Sequence, residues 1–275
     1  MNNNLITLST CLYKLKSKFP INTYYIWVKN LLTIVNRFNL VIYTNRELCN
    51  QLLQLIGKSK KIKIIIKPIE DFYTYKYADN WINNHTKSNM VLHKNTDWQL
   101  NMLWNEKIFF VNDTIQHKYF ESLYYGWCDI GYFRNRPNDL HTMHLNNWPN
   151  PQKYILEPFE TRIHYACVQN NQTILATLSN DIKLHYANKL ETPPTDKYTE
   201  TCFAGGFFIL RPETVINYLK MYDAKLQYYF TNNYLIKDDQ TIVMDIIFTN
   251  PNMFRIHCEN NIRYDNWFMF QRLLL

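Results

Sequence analysis

Apolar positions along the chain alternate between short unbroken runs and stretches with helical spacing. Leu5 to Tyr13 is an apolar, β-prone run. After it, Trp27, Leu31, Val35 and Phe38 recur every three or four residues, which predicts an amphipathic helix capped by Asn22 or Thr23. Leu40 to Tyr43 is a second short apolar run. Leu48, Leu52 and Leu55 then share one side of a second helix, with Gly57 as its C′ stop. Ile62 to Ile66 is nearly continuous and β-branched, the pattern of a parallel strand buried on both faces. The opening therefore reads β-α-β-α-β, the start of a doubly wound α/β fold: a Rossmann-like, mostly parallel central sheet with helices on both faces. In such sheets ligands sit beyond the carboxyl ends of the strands. That singles out Thr10, Cys11, Tyr13 and Lys14 after the first strand. Neither GxGxxG nor GxxxxGK[ST] occurs there, which excludes the dinucleotide and P-loop fingerprints.

Beyond this opening, Asp71 to Asn84 is aromatic and polar and fits no single period. Gln99 to Asn112 reads as one helix, with Leu100, Leu103, Trp104, Ile108 and Val111 on one side. Tyr124 to Ile130 reads as a strand, and Phe133 to Pro151, with three prolines, as a loop. Gln152 to Val168 and Thr173 to Leu178 read as short strands or turns, and Thr201 to Leu210 as a strand interrupted by Gly205-Gly206. Pro212 opens a helix through Phe230, Asp238 caps another that Asn250-Pro251 ends, and Phe254 to Cys258 is a last strand. No repeat or linker divides the 275 residues, so a single domain over 1–275 is expected.

Composition narrows this picture. Hydrophobic residues make up 47%, which excludes wholesale disorder, and charged residues only 19%. There are 34 Asn and 21 Lys against 5 Gly and 6 Ala, a bias toward AT-rich codons that weakens any argument from Asn clusters. It strengthens the argument from each glycine, which more often stands where a side chain does not fit. The net charge of +7 reads either as a solvated Lys-rich surface or as suited to a polyanion such as nucleic acid or a nucleotide diphosphate, and the basic residues are dispersed apart from Lys58, Lys60, Lys61 and Lys63. Without an Arg-rich helix or zinc-finger spacing, a specific nucleic-acid partner is not expected. Six scattered cysteines form no CxxC pair, so neither zinc nor a disulfide framework is indicated. Met1 to Pro20 lacks the pattern of a signal peptide, and no apolar run reaches the ~18 residues of a membrane span. A soluble, intracellular protein is expected.

Five features could carry chemistry. In Trp127-Cys128-Asp129-Ile130-Gly131, a carboxylate ends a buried strand two residues before a glycine. It could hold a divalent cation bridging two phosphates, with Gly131 admitting backbone or sugar; the bland reading is an Asp capping a turn. Asp238-Asp239-Gln240 opens a helix, either as a cap and dipole partner or as carboxylates facing an acceptor hydroxyl. Gly205-Gly206 is a bulge or a wall kept open for a sugar ring. His257, after the last strand, is a structural histidine or a metal ligand. Lys107 falls near the apolar side of its helix, which suggests a phosphate partner rather than solvent.

Taken in order, Thr10-Cys11, Trp104-Asn105-Glu106-Lys107, Trp127-Cys128-Asp129-Ile130-Gly131, Gly205-Gly206-Phe207 and Asp238-Asp239-Gln240 resemble the HtrL/YibB (WlaTC/HtrL) family, which looks like a branch of the GT-A-type glycosyltransferases. The resemblance spans Leu5 to about Asn250. It implies a GT-A-like fold, a nucleotide-diphosphate sugar donor, a glycan or glycoconjugate acceptor, and transfer assisted by Mn²⁺ or Mg²⁺. Asp129 matches the first carboxylate of the GT-A DxD motif, and Gly131 replaces the second. Metal binding would then fall on Asp129 with a distant ligand such as His257. Lys107 would neutralise the leaving diphosphate, Gly205, Gly206 and Gln240 would line the substrate, and Asp239 or Asp238 would bind or activate the acceptor hydroxyl. The helix dipole would keep Asp239 ionised. A non-catalytic glycan- or nucleotide-binding protein on the same fold is the competing reading.

Overall fold

The computed structural model describes residues 5–87, 91–150, 153, 161–189 and 201–275. Seven strands form one sheet: β1 (Ile6–Leu12), β2 (Asn39–Thr44), β3 (Ile62–Ile66), β4 (Tyr124–Cys128), β5 (Ile163–Ala166), β6 (Phe207–Leu210) and β7 (Phe254–His257). Their order is β3-β2-β1-β4-β6-β5-β7. β6 runs antiparallel to its neighbours β4 and β5, and every other pairing is parallel. The expected mostly parallel α/β sheet is thus present. The chain winds outward from β1 through β2 to β3, then returns to the other side of β1 as β4. The crevice of this fold therefore lies at the carboxyl ends of β1 and β4, where the winding changes direction.

Helices cover both faces. On one face, α1 (Ile21–Thr33), α2 (Arg46–Ile56) and the C-terminal α10 (Phe270–Leu273) bury Val28, Leu31, Leu48, Leu52 and Phe270 with Trp148 and Phe207. On the other lie α5 (Trp98–Asn105), α6 (Lys107–Gln116), α8 (Pro212–Thr231) and α9 (Asp239–Thr249), which bury Phe109, Phe110, Tyr218, Tyr222 and Ile242 against Trp127 and Phe208. Three further helices, α3 (Ala78–Lys87), α4 (Val91–Asn95) and α7 (Gln172–Tyr186), flank these.

Local chemistry sets several boundaries. Asn45 Oδ1 accepts from Leu48 N at 3.1 Å to start α2, and Gly57, at φ +62°, ends it. Pro212 takes the first position of α8. Other expectations need correction. Pro20, not Asn22 or Thr23, precedes α1, with no side-chain cap. β3 is an edge strand and only half-buried, because a β-branched run looks the same at an edge as in the middle of a sheet. The predicted helix Gln99–Asn112 is two helices with Glu106 between them. Thr173–Leu178 is helical, inside α7, because Asn171 Oδ1 caps Thr173 N and Ile174 N. Asp71–Asn84 resolves into 3₁₀ turns and α3. Of the segment Gln152–Val168, Ile163–Ala166 is β5, whereas positions 152 and 154–160 lie outside the described residues. Among the described residues no helix is long and apolar enough to cross a membrane.

Candidate functional site

β1 and β4 are registered through Ser9 and Trp127, so Cys11 and Asp129 lie level with one another two positions further on, at the carboxyl edge. Asp129 is fixed from three sides. Its backbone N donates to Gly206 O at 2.8 Å, its Oδ1 accepts from Trp127 Nε1 at 2.6 Å, and Lys107 Nζ lies 3.2 Å from the same oxygen. The Asp129 side chain remains 39% exposed.

Lys107 opens α6 and reaches inward because Glu106, beside it, is committed elsewhere. Glu106 is buried and accepts from Tyr73 N, Thr74 N and Thr74 Oγ1, tying the 3₁₀ segment to the joint between α5 and α6. The Lys107 ammonium donates to Asp239 Oδ2 at 2.8 Å and to Gly205 O at 2.8 Å, and faces Asp129. Three acceptors thus meet the three hydrogens of the ammonium. Burial presses this ammonium toward neutrality, but Asp129 and Asp239 more than reverse that and hold it charged. The predicted phosphate partner is therefore replaced by two carboxylates and a carbonyl.

Asp238 caps α9 through Oδ1, which accepts from Gln240 N at 3.1 Å and Thr241 N at 3.3 Å. Asp239, in the first turn, is 4% exposed. The helix dipole does not decide its protonation. Burial pushes its carboxyl up to about 7, against the pull of Lys107. Burial also raises Asp238, with Lys18 opposing. Gly205 backs the Asp239 carboxylate rather than holding a wall open, whereas Gly206 borders open space beside Asp129. A Cβ at Gly205 would lie 2.3 Å from Asp239 Oδ2, and one at Gly206 would lie 3.4 Å from Asp129 Oδ2. Gly131 is likewise filled, since a Cβ there would lie 2.6 Å from the Trp27 ring.

Two adjoining hollows, of about 140 and 290 Å³, meet along Lys18, Trp104, Lys107, Asp129, Gly131 and Arg134. The first is aromatic, with Phe19, Tyr24, Trp27 and Trp127 beside Cys11 and Tyr13. The second carries Asp238, Asp239, Gln240, Gly206 and Trp267. Lys18 and Arg134 face both. Arg134 is held by Nε donating to Gly131 O at 2.7 Å and lies 4.5 Å from the Trp27 ring; Lys18 lies over Trp104 at 4.7 Å. Neither has an ion-pair partner among the described residues. Sequence reading missed both as site residues. Arg134, three residues after Gly131, carried a signal in its closeness to the strand end; Lys18, in a run of alternating lysines, carried none.

The structure does not bring all expected residues here. Thr10 is buried within β1 and lines neither hollow. Lys14 is exposed and paired with Glu47 at 2.7 Å. Burial first, then Asp129, raises the Cys11 thiol, so it is no thiolate nucleophile. His257 is buried at the end of β7, its Nε2 3.0 Å from His164 Nδ1, and lines neither hollow. It does not join Asp129 as a metal ligand. No group of three or more His, Cys, Asp or Glu side chains is placed to hold a metal among the described residues. Among the described residues Asp129 presents a 39% exposed carboxylate beside an ammonium, and Asp238 in the same hollow has one oxygen committed to the start of α9, a poor fit for a Mn²⁺ or Mg²⁺ ion that needs about six oxygen ligands.

The family model described as "Bacterial protein of unknown function (HtrL_YibB)" matches residues 12–275. No curated protein matches the chain in sequence. Among solved structures, the apo form of mouse xyloside xylosyltransferase 1 is similar at 14% identity, with a TM-score of 0.47, over 92% of this chain and 84% of that one.

Proposed function

The chain belongs to the HtrL/YibB family, and we propose that it is a glycosyltransferase of GT-A type, moving a sugar from a nucleotide-diphosphate sugar to an acceptor hydroxyl. One observation carries this reading. Asp129 and Asp239, distant in sequence, converge on a single ammonium where an aromatic hollow meets a carboxylate-lined one, at the carboxyl edge of the sheet. The aromatic hollow suits a flat base, stacked on Trp27 or Tyr24. Lys18 and Arg134, between the hollows, suit the diphosphate, because neither forms an ion pair among the described residues. The second hollow suits the acceptor.

In the reaction, the bond from the anomeric carbon to the diphosphate oxygen breaks and one to the acceptor oxygen forms. Negative charge grows on the leaving diphosphate, where the Arg134 guanidinium and Lys18 ammonium stabilise it. The acceptor hydroxyl must lose its proton. Asp239, with its carboxyl near 7, is able to hold that proton at neutral pH. Asp238, with Oδ1 committed to helix N–H groups, orients the acceptor. No step is assigned to a metal.

A second reading is a non-catalytic glycan- or nucleotide-binding protein. The near-complete burial of Asp239 and its ion pair with Lys107 favour it, since both restrict access to the base. The test is a melting-temperature screen of nucleoside diphosphates and their sugars, followed by a donor-hydrolysis assay with the ligand that stabilises. Stabilisation with hydrolysis supports transfer. Stabilisation without turnover in the presence of any acceptor selects the second reading, and no stabilisation by any nucleotide rejects both nucleotide roles.

A further inference from the structure

We infer that Lys107 stands at Asp129 in the place a divalent cation would take, and that nucleotide recognition in this chain is independent of divalent metal. This deepens the transferase reading and rests on it for the nucleotide alone. The argument begins with oxygen atoms. Asp129 Oδ1 already meets Trp127 Nε1 and Lys107 Nζ, so at most its Oδ2 is open to a cation. Asp239 Oδ2 accepts from Lys107 and lies against Gly205. Asp238 Oδ1 is taken by the start of α9.

A cation shared by Asp129 and Asp239 would have to sit where the ammonium sits. Its ligand bonds would be about 2.1 Å long, against the 2.8 and 3.2 Å seen to Nζ, so the ammonium and a metal exclude each other by size as well as by charge. Lys107 cannot easily withdraw. Its side chain is 8% exposed, and its third hydrogen is held by Gly205 O. A cleft with a built-in cation bridging its carboxylates leaves the diphosphate to Arg134 and Lys18. Both are cations that face the two hollows without an ion-pair partner among the described residues. Lys107 is therefore a positioning residue. It fixes two carboxylates that otherwise repel.

The test uses the full chain and has two arms. In the first, Mn²⁺ alone is titrated with the protein and followed by electron paramagnetic resonance. The wild type should leave the spectrum of aqueous Mn²⁺ unchanged. Stoichiometric loss of that signal, restored by Asp129→Asn, overturns the inference. In the second arm, the nucleoside diphosphate that stabilises most is titrated in EDTA and in excess Mn²⁺. Affinities should agree within about twofold, and a gain of about tenfold with Mn²⁺ overturns the inference. If no nucleotide binds under either condition, the transferase reading fails while the Mn²⁺ titration still judges this inference. Lys107→Met supplies a positive control, because it frees both carboxylates. Mn²⁺ should raise its melting temperature and leave that of the wild type unchanged. A soluble, folded variant as indifferent to Mn²⁺ as the wild type would refute the placement of Lys107 in a cation's position, and if the variant does not fold the wild-type arms decide.

Discussion

The two neighbouring aspartates at the start of α9 divide structural and chemical work by where their oxygens go. Asp238 Oδ1 accepts from two backbone N–H groups, so Asp238→Ala should cost about 1 kcal/mol, read from urea unfolding. Asp239 acts through its proton. Its carboxyl titrates near 7 when folded against an ordinary 3.8, with burial as the main cause. The folded chain thus keeps a proton that the unfolded chain loses over that interval. The stability this gives is fully present below 3.8 and is lost as pH rises through about 7. The stability of the wild type relative to Asp239→Asn should therefore fall across that window, and a flat difference would mean that Lys107 keeps Asp239 ionised throughout. Asp129 is a different case, since its side chain is 39% exposed and Asn can still accept from Trp127 Nε1. Asp129→Asn should lower turnover by roughly 10²-fold or more while barely shifting the melting temperature. Parallel loss of both would make Asp129 a turn residue only.

At the scale of elements, the joint between α5 and α6 places the site. Glu106 and Lys107 are adjacent, yet Glu106 points to the 3₁₀ segment and Lys107 to the cleft. Burial raises the Glu106 carboxyl to about 7, while Lys67 and the Thr74 and Tyr73 donors pull it back. Glu106→Ala would strand two backbone N–H groups and the Thr74 hydroxyl, while Lys67 keeps its pair with Asp113, so it should destabilise by about 3 kcal/mol in chemical unfolding. This joint was not legible in the sequence, because the apolar spacing of Leu100, Leu103, Ile108 and Val111 runs through Glu106 without a break. Short-range signals were legible: the Asp129 strand end, the Asp238 cap, Gly57 and Pro212 each act on atoms a few residues away. What depended on distant partners was not. His257 reads as a ligand until His164, from β5, is placed beside it. Gly205 reads as an open wall until Asp239 is laid against it. In α7, the β-prone Thr173-Ile174 is overridden by the Asn171 cap.

For the whole molecule, the question is whether the net charge of +7 or the local arrangement selects an anionic partner. The second hollow holds Lys18, Lys107 and Arg134 against Asp129, Asp238 and Asp239, so its cations are matched in number by carboxylates. The lysine cluster lies elsewhere. Lys58, Lys60 and Lys61 precede β3, at the amino end of an edge strand, whereas the cleft is at the carboxyl end of β1, two strands away. At roughly 3.3 Å per residue and about 4.8 Å between strands, that separation is well over 15 Å. The Debye length at physiological ionic strength is about 8 Å, so the cluster is screened from the cleft. It can raise the encounter rate of an anion in low salt but should contribute little to holding one. Replacing Lys58, Lys60, Lys61 and Lys63 with Glu turns the net charge slightly negative. In physiological salt this variant should bind a nucleoside diphosphate within about twofold of the wild type. Arg134→Met removes one charge at the divide between the hollows and should weaken binding roughly tenfold or more. Calorimetric titration of both variants tests this directly. If the cluster variant loses more affinity than Arg134→Met, the anion is held at the β3 edge, and the protein is better read as a basic surface for a polyanion than as a transferase.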